Sequence, residues 1–138
     1  GLYFWVKDNL YIWTKLISVS SLQVSPGELT PAVNLIPEKG IFRIEGKSLM
    51  DNPASFYKTV KDWFQHYLEK PNPSTHLEIK FEYYNTATAR ELLEIFALLE
   101  KVAHSKIIWH FLEDDEDMEE SGQELAHLTK VPFEFRPY

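Results

Sequence analysis

The chain has 138 residues, 44% of them apolar and 14% aromatic, with a formal charge of −7 and no cysteine. That size and composition fit one globular domain with its own core. The acidic balance argues against nucleic acid or anionic membranes as partners, since both need a basic footprint. Disulfides, thiolate catalysis and cysteine-based zinc sites are excluded, and no apolar run approaches the length of a membrane span.

Residues 1–17, GLYFWVKDNLYIWTKLI, are rich in aromatics but interrupted by Lys7, Asp8, Asn9 and Lys15. They lack the basic start and continuous apolar centre of a secretory signal. The pattern fits a helix face or a strand, and an aromatic arm of this kind is expected to pack on the domain or on a neighbour. The polar stretch 18–30, SVSSLQVSPGELT, reads as a linker. Residues 1–29 are therefore taken as an extension and linker, and residues 30–138 as the folded domain.

From there the elements follow in order. Residues 32–36 form a short strand, Pro37-Glu38-Lys39-Gly40 a turn, and residues 41–45 the return strand of a hairpin. Asp51 or Asn52 is expected to cap a first helix, with Pro53 in its first turn. Phe56, Val60, Trp63, Phe64 and Tyr67 supply that helix's buried stripe. Pro71 and Pro73 end the segment.

In residues 77–84, Leu77, Ile79, Phe81 and Tyr83 alternate with Glu78, Lys80, Glu82 and Tyr84, the period of a strand with one covered face. A second helix is expected over 88–104, with Thr88 as cap and Glu91 reaching back in a capping box. It would bury Leu92, Ile95, Phe96, Leu99 and Val102. Residues 107–111 are the next strand. The acidic run, in which seven of the eight residues 113–120 are Asp or Glu, opens a third helix with Met118, Leu125 and Leu128 facing inward. Val131-Pro132 stops it, and residues 133–136 form a last strand at an edge. The order ββαβαβαβ implies an α/β fold with a mixed, mostly parallel sheet. Half-polar strands place the helices mainly on one face.

Three constellations could carry chemistry. The acidic run could hold a hard cation, but it lacks EF-hand spacing; a solvated helix start or a docking surface for a basic partner are the other readings. His110, just before that run, could form a dyad with the carboxylates of residues 113–117, giving a small metal-dependent enzyme. None of the five histidines shows metal-ligand spacing, and no nucleophile elbow, phosphate loop or dinucleotide fingerprint is present. The third is the strand-to-helix junction Asn85-Thr86-Ala87-Thr88. Its bland reading is simple capping. With Thr88 as the cap, Thr86 is left solvent-facing beside outward amides, where a phosphate would be favoured.

Several segments resemble one family. TPAV (30–33), PEKGIFRIEGKSLMDNPASFY (37–57), EYYNTATAR (82–90), WHFLEDDEDM (109–118) and VPFEF (131–135) are similar to the SiaC family of bacterial regulatory phosphoproteins. The likeness spans about residues 30–135, so residues 30–138 would be a SiaC-like regulatory domain. The resemblance implies a STAS-like fold, as in anti-sigma-factor antagonists, and a partner switch without cofactor or catalysis. A protein kinase of the histidine-kinase-like ATPase type would phosphorylate a Thr, and a PP2C-type phosphatase would remove the phosphate. The unphosphorylated form would bind and activate an effector, a diguanylate cyclase, raising cyclic di-GMP and favouring biofilm in the bacterial cytoplasm. The family's phosphorylated Thr falls on Thr86 and its preceding Asn on Asn85; Thr88 is a second candidate. The partner-binding residues expected on this basis are Asn85, Thr86, Thr88 and Arg90. An anti-sigma-factor antagonist without phosphorylation is the alternative.

Overall fold

The computed structural model describes residues 20–138; the aromatic stretch 1–17 lies outside them. The elements are β1 (Leu22–Val24), β2 (Ala32–Ile36), β3 (Ile41–Ser48), α1 (Ala54–Tyr67), β4 (Thr75–Tyr84), α2 (Thr86–Leu99), β5 (Ser105–Phe111), α3 (Glu116–His127) and β6 (Phe133–Pro137). All six strands form one sheet whose spatial order equals their chain order. The first two pairings are antiparallel and the last three parallel.

That order explains the layering. Each parallel step needs a crossover helix, and right-handed crossovers running in one direction deliver their helices to the same face. The apolar residues of that face, among them Leu35, Phe42, Ile44, Ile79 and Trp109, join Val60, Phe64, Leu92, Ile95, Phe96 and Leu125 of the helices in one buried cluster. The opposite face carries charge. There Arg43 and Glu78 are paired in the sheet register, and Lys106 reaches Glu134 at 2.7 Å. This is the expected α/β sheet with helices on one face. No helix among the described residues is long and apolar enough to cross a membrane.

The hairpin turns as its sequence implies. Pro37–Lys39 make a single 3-10 turn, and Gly40 closes it in the left-handed region (φ 65°), with its N–H donating to Pro37 O at 3.0 Å.

Four local readings are corrected. The sheet starts inside the stretch read as linker, because β1 pairs with β2 from Leu22 to Val24; Trp63 Nε1 also donates to Ser20 O at 2.8 Å. Neither Asp51 nor Asn52 caps α1. Pro53 takes that place with helical dihedrals and no side-chain bond. Helix α2 starts two residues earlier than expected and ends at Leu99, where Ser105 Oγ and the Val102 N–H both donate to the Leu99 carbonyl. The chain then turns through His104 at φ 57°. Leu128 is 69% exposed, since α3 ends at His127 and the residue leaves the periodic face.

Candidate functional site

The site is built at the carboxyl end of β4. The register with β3 slips there: Gly46 faces Phe81, but Lys47 faces Tyr83, so Glu82 is an extra residue in the ladder. Gly46 answers with φ 112°, a conformation open to glycine. A bulge of this kind shifts the side-chain alternation by one. Phe81 stays buried, but Tyr83 swings out to 64% exposure. Tyr84 turns inward against Phe81 and, at a near-perpendicular ring angle, Trp109, at centroid distances of 5.6 and 5.8 Å. The two tyrosines thus exchange the places that strict alternation gives them. Burial, helped by the charge of Glu124, pushes the Tyr84 phenol above its ordinary pKa.

The junction itself corrects the capping reading. Asn85, not Thr88, is the N-cap of α2: its Oδ1 accepts from Thr88 N at 2.9 Å. Its Nδ2 donates to Met50 O at 2.8 Å and its backbone N–H to Ser48 O at 3.2 Å. Glu91 does not reach back to close a capping box; Lys61 Nζ lies 2.7 Å from its Oε2. Moving the cap to Asn85 makes Thr86 the first helical residue and Thr88 the third. Two residues on a helix are about 200° apart, so the two threonines point to opposite sides. Thr86 is exposed and Thr88 is fully buried.

Thr88 enters a chain of hydroxyls. Its Oγ1 lies 2.7 Å from Ser48 Oγ and donates to Ser48 O at 3.1 Å, and Ser48 Oγ lies 2.7 Å from Tyr57 Oη. Burial raises the Tyr57 phenol to a pKa of about 12 against the lowering pull of Ser48, so it stays protonated at neutral pH. Nothing in the sequence spacing of residues 48, 57 and 88 announces this meeting. Gly46 was the one signal of the bulge, but it falls just past the strand read over residues 41–45, which in the structure runs on to Ser48.

Thr86, by contrast, lines a cleft of about 470 Å³ between the β4–α2 junction and α3. Tyr83 and Ser121 also line it, and its charged lining residues are all carboxylates: Glu82, Asp115, Asp117 and Glu124. The acidic run is used locally. Asp115 caps α3 by accepting from Met118 N at 3.0 Å, and Glu116, Asp117 and Glu119 occupy the first turn, where the helix dipole favours them. Among the described residues no group of three or more His, Asp or Glu is arranged to hold a metal. Arg90, one turn beyond Thr86, is exposed and has no ion-pair partner among the described residues.

His110 does not face the acidic run. Its Nε2 donates to Glu78 Oε1 at 2.9 Å on the open sheet face, while Arg43 donates to Glu78 Oε2 at 3.1 Å. Burial pushes the Glu78 carboxyl up. The hydrogen bonds and charges of His110 and Arg43 together outweigh it and hold the group below its ordinary value. The cluster is a cross-strand tie on the open sheet face, and none of its three residues lines the Thr86 cleft.

Residues 24–138 match the family model described as SiaC family regulatory phosphoprotein. The chain belongs to the SiaC family. The match takes in the end of β1, ahead of the boundary expected at residue 30. An uncharacterized protein of Pseudomonas aeruginosa strain UCBPP-PA14 is 25% identical over 120 residues, covering 83% of this chain and 94% of that protein. Among solved structures, apo-SiaC from Pseudomonas aeruginosa superposes with a TM-score of 0.74 at 22% identity, over 85% of this chain and 98% of that one. The crystal structure of diguanylate cyclase SiaD in complex with its activator SiaC, from the same organism, contains a chain that matches with a TM-score of 0.77 at 21% identity, over 85% and 99%. At these identities the structures establish the shared α/β fold, which is consistent with the STAS-like architecture expected. The regulatory role rests on the family.

Proposed function

We propose that this SiaC-family protein is the switch of a partner-switching system, phosphorylated on Thr86, and that its unphosphorylated form binds and activates a diguanylate cyclase. The observation that carries this reading is the division between the two threonines. Thr86 stands exposed at the first position of α2 in an open cleft, while Thr88 is buried and hydrogen-bonded. A kinase can reach the first and not the second, so Thr88 drops out as a modification site and as a direct partner contact. Asn85 shapes the junction, and Arg90 flanks Thr86 on the next turn. The family description as phosphoprotein supports the modification, and SiaC standing as activator of SiaD in the complex supports the effector.

A phosphate on Thr86 adds about −1.5 to −2 charges. The α2 N-terminus and Arg90 favour it, while Glu82, Asp115, Asp117 and Glu124 across the cleft oppose it. Modification therefore changes charge and shape at one wall of the cleft while the fold beneath stays in place. A histidine-kinase-like ATPase kinase and a PP2C-type phosphatase would write and erase the mark in the cytoplasm. The protein itself acts as a ligand, not an enzyme: His110 and the acidic run, the groups a catalytic reading would use, are engaged in the sheet tie and the α3 cap.

The test is binding to the organism's diguanylate cyclase before and after phosphorylation. The unphosphorylated protein and Thr86→Ala bind and raise cyclic di-GMP synthesis, and the phosphorylated protein binds at least about tenfold more weakly. Equal affinity and equal activation by both forms would overturn the proposal.

A further inference from the structure

A buried hydroxyl chain lies directly beneath the junction that carries Thr86. Among the described residues, Ser48, Thr75 and Thr88 are the buried polar ones. Thr75 bonds Tyr67 at 2.7 Å, where β4 begins. The other two, with Tyr57, tie three elements together: the end of β3, helix α1 and the first turn of α2. Each hydroxyl owns one proton. One assignment uses all three: Tyr57 donates to Ser48 Oγ, Ser48 donates to Thr88 Oγ1, and Thr88 donates to the Ser48 carbonyl. That same carbonyl also accepts the Asn85 N–H.

Thr86 and Ala87 are thus the two residues between a pair of anchors, Asn85 and Thr88, both fastened to the end of β3. An apolar contact could hold the helix on the sheet without desolvating three hydroxyls. What hydrogen bonds add is direction, since they fix rotation and register of the first turn as well as its distance.

We propose that Ser48, Tyr57 and Thr88 are positioning residues for the modification of Thr86, the buried chain holding the first turn of α2 so that the Thr86 hydroxyl meets the phosphoryl donor in one orientation. The proposal rests on Thr86 being the modified residue. In the transfer, Thr86 Oγ1 forms its bond to the γ-phosphorus of Mg·ATP as the bond from that phosphorus to ADP breaks, and the Thr86 proton passes to a base of the kinase. The buried chain exchanges no atom in this step. It acts through orientation, and misplacement of a reacting atom by about 1 Å can cost on the order of a hundredfold in rate.

The experiment compares wild type, Thr88→Val, Thr88→Ser and a control, Val102→Ala, which alters a buried residue after α2 outside the hydroxyl chain. Each chain is phosphorylated by the organism's kinase of the histidine-kinase-like ATPase type with Mg·ATP, well below its unfolding midpoint. Thr88→Val is expected to lower kcat on the order of tenfold with KM unchanged. Thr88→Ser keeps the hydroxyl and stays near wild type, as does Val102→Ala. A wild-type kcat in Thr88→Val, a change confined to KM, or an equal loss in Val102→Ala overturns the proposal.

Amide exchange at Thr88 and Ala89 gives a readout independent of the kinase. Exchange should be faster in Thr88→Val than in Val102→Ala and restored in Thr88→Ser. Should wild type accept no phosphoryl group, the reading of Thr86 fails on its own. The exchange data then decide: an unperturbed first turn in Thr88→Val overturns the positioning role.

Discussion

Gly122 sits in α3 against Trp109, and replacing it with alanine sets two effects against each other. A Cβ built there would lie 2.5 Å from both Cδ1 and Nε1 of the indole and 2.8 Å from Cε2. Carbon atoms pack best at about 3.5–4.0 Å, so helix or ring must yield by roughly 1 Å. The ring is poorly placed to move. It is fully buried, with Tyr84 in a T-shaped contact at 5.8 Å and Phe133 stacked at 6.2 Å, and its Nε1 donates to Met118 O at 2.9 Å. The helix must therefore lift. Overpacking costs about 1–3 kcal/mol, and loss of the Trp109–Met118 bond adds about 1. Alanine's better helix propensity returns about 1. The net prediction is a destabilisation of about 1–3 kcal/mol, read as a lower urea midpoint by tryptophan fluorescence with an unchanged slope. A variant as stable as wild type, or more stable as propensity alone would make it, would refute the packing argument. Because α3 carries Asp117 and Glu124 and is capped by Asp115, the same substitution should also loosen the wall of the Thr86 cleft.

Two further predictions concern stability. Glu78 is held below its ordinary pKa of 4.5 in the folded state, so its contribution is fully present above that value and fades as pH falls through the folded pKa. Acid unfolding should begin at higher pH in Arg43→Met than in wild type, and coincident acid transitions would contradict the cross-strand tie. The hydroxyl chain should behave as a unit: Ser48→Ala and Thr88→Val each destabilise, and a double-mutant cycle yields a coupling of about 1 kcal/mol. Additive losses in urea unfolding would mean that the two hydroxyls act separately.

The periodic elements were legible because their faces are strongly patterned. Phe64 and Tyr67 in α1, and Leu92 through Leu99 in α2, recur at helical spacing and are buried as read. Gly40 announced its turn. What escaped was decided by partners distant in sequence. Asn85 and Thr88 are both good caps, and the choice between them fell to the Met50 carbonyl, which takes the Asn85 amide 35 residues away. The inversion of Tyr83 and Tyr84 came from a bulge whose sole hint was Gly46 on the facing strand. Leu22–Val24 is too short to show a strand pattern amid serines and a proline. Thr86 itself stood out through the family motif. Periodicity ended at residue 84 and left the junction open between capping and modification.

The central claim is that Thr86 accepts a phosphoryl group and Thr88 does not. Incubating the chain with the organism's kinase of the histidine-kinase-like ATPase type and Mg·ATP, followed by intact mass and fragment mapping, tests it most directly. The expected result is a single phosphoryl group on Thr86, lost in Thr86→Ala and retained in Thr88→Ser. An unmodified chain, or a phosphate that maps to Thr88, would contradict the account.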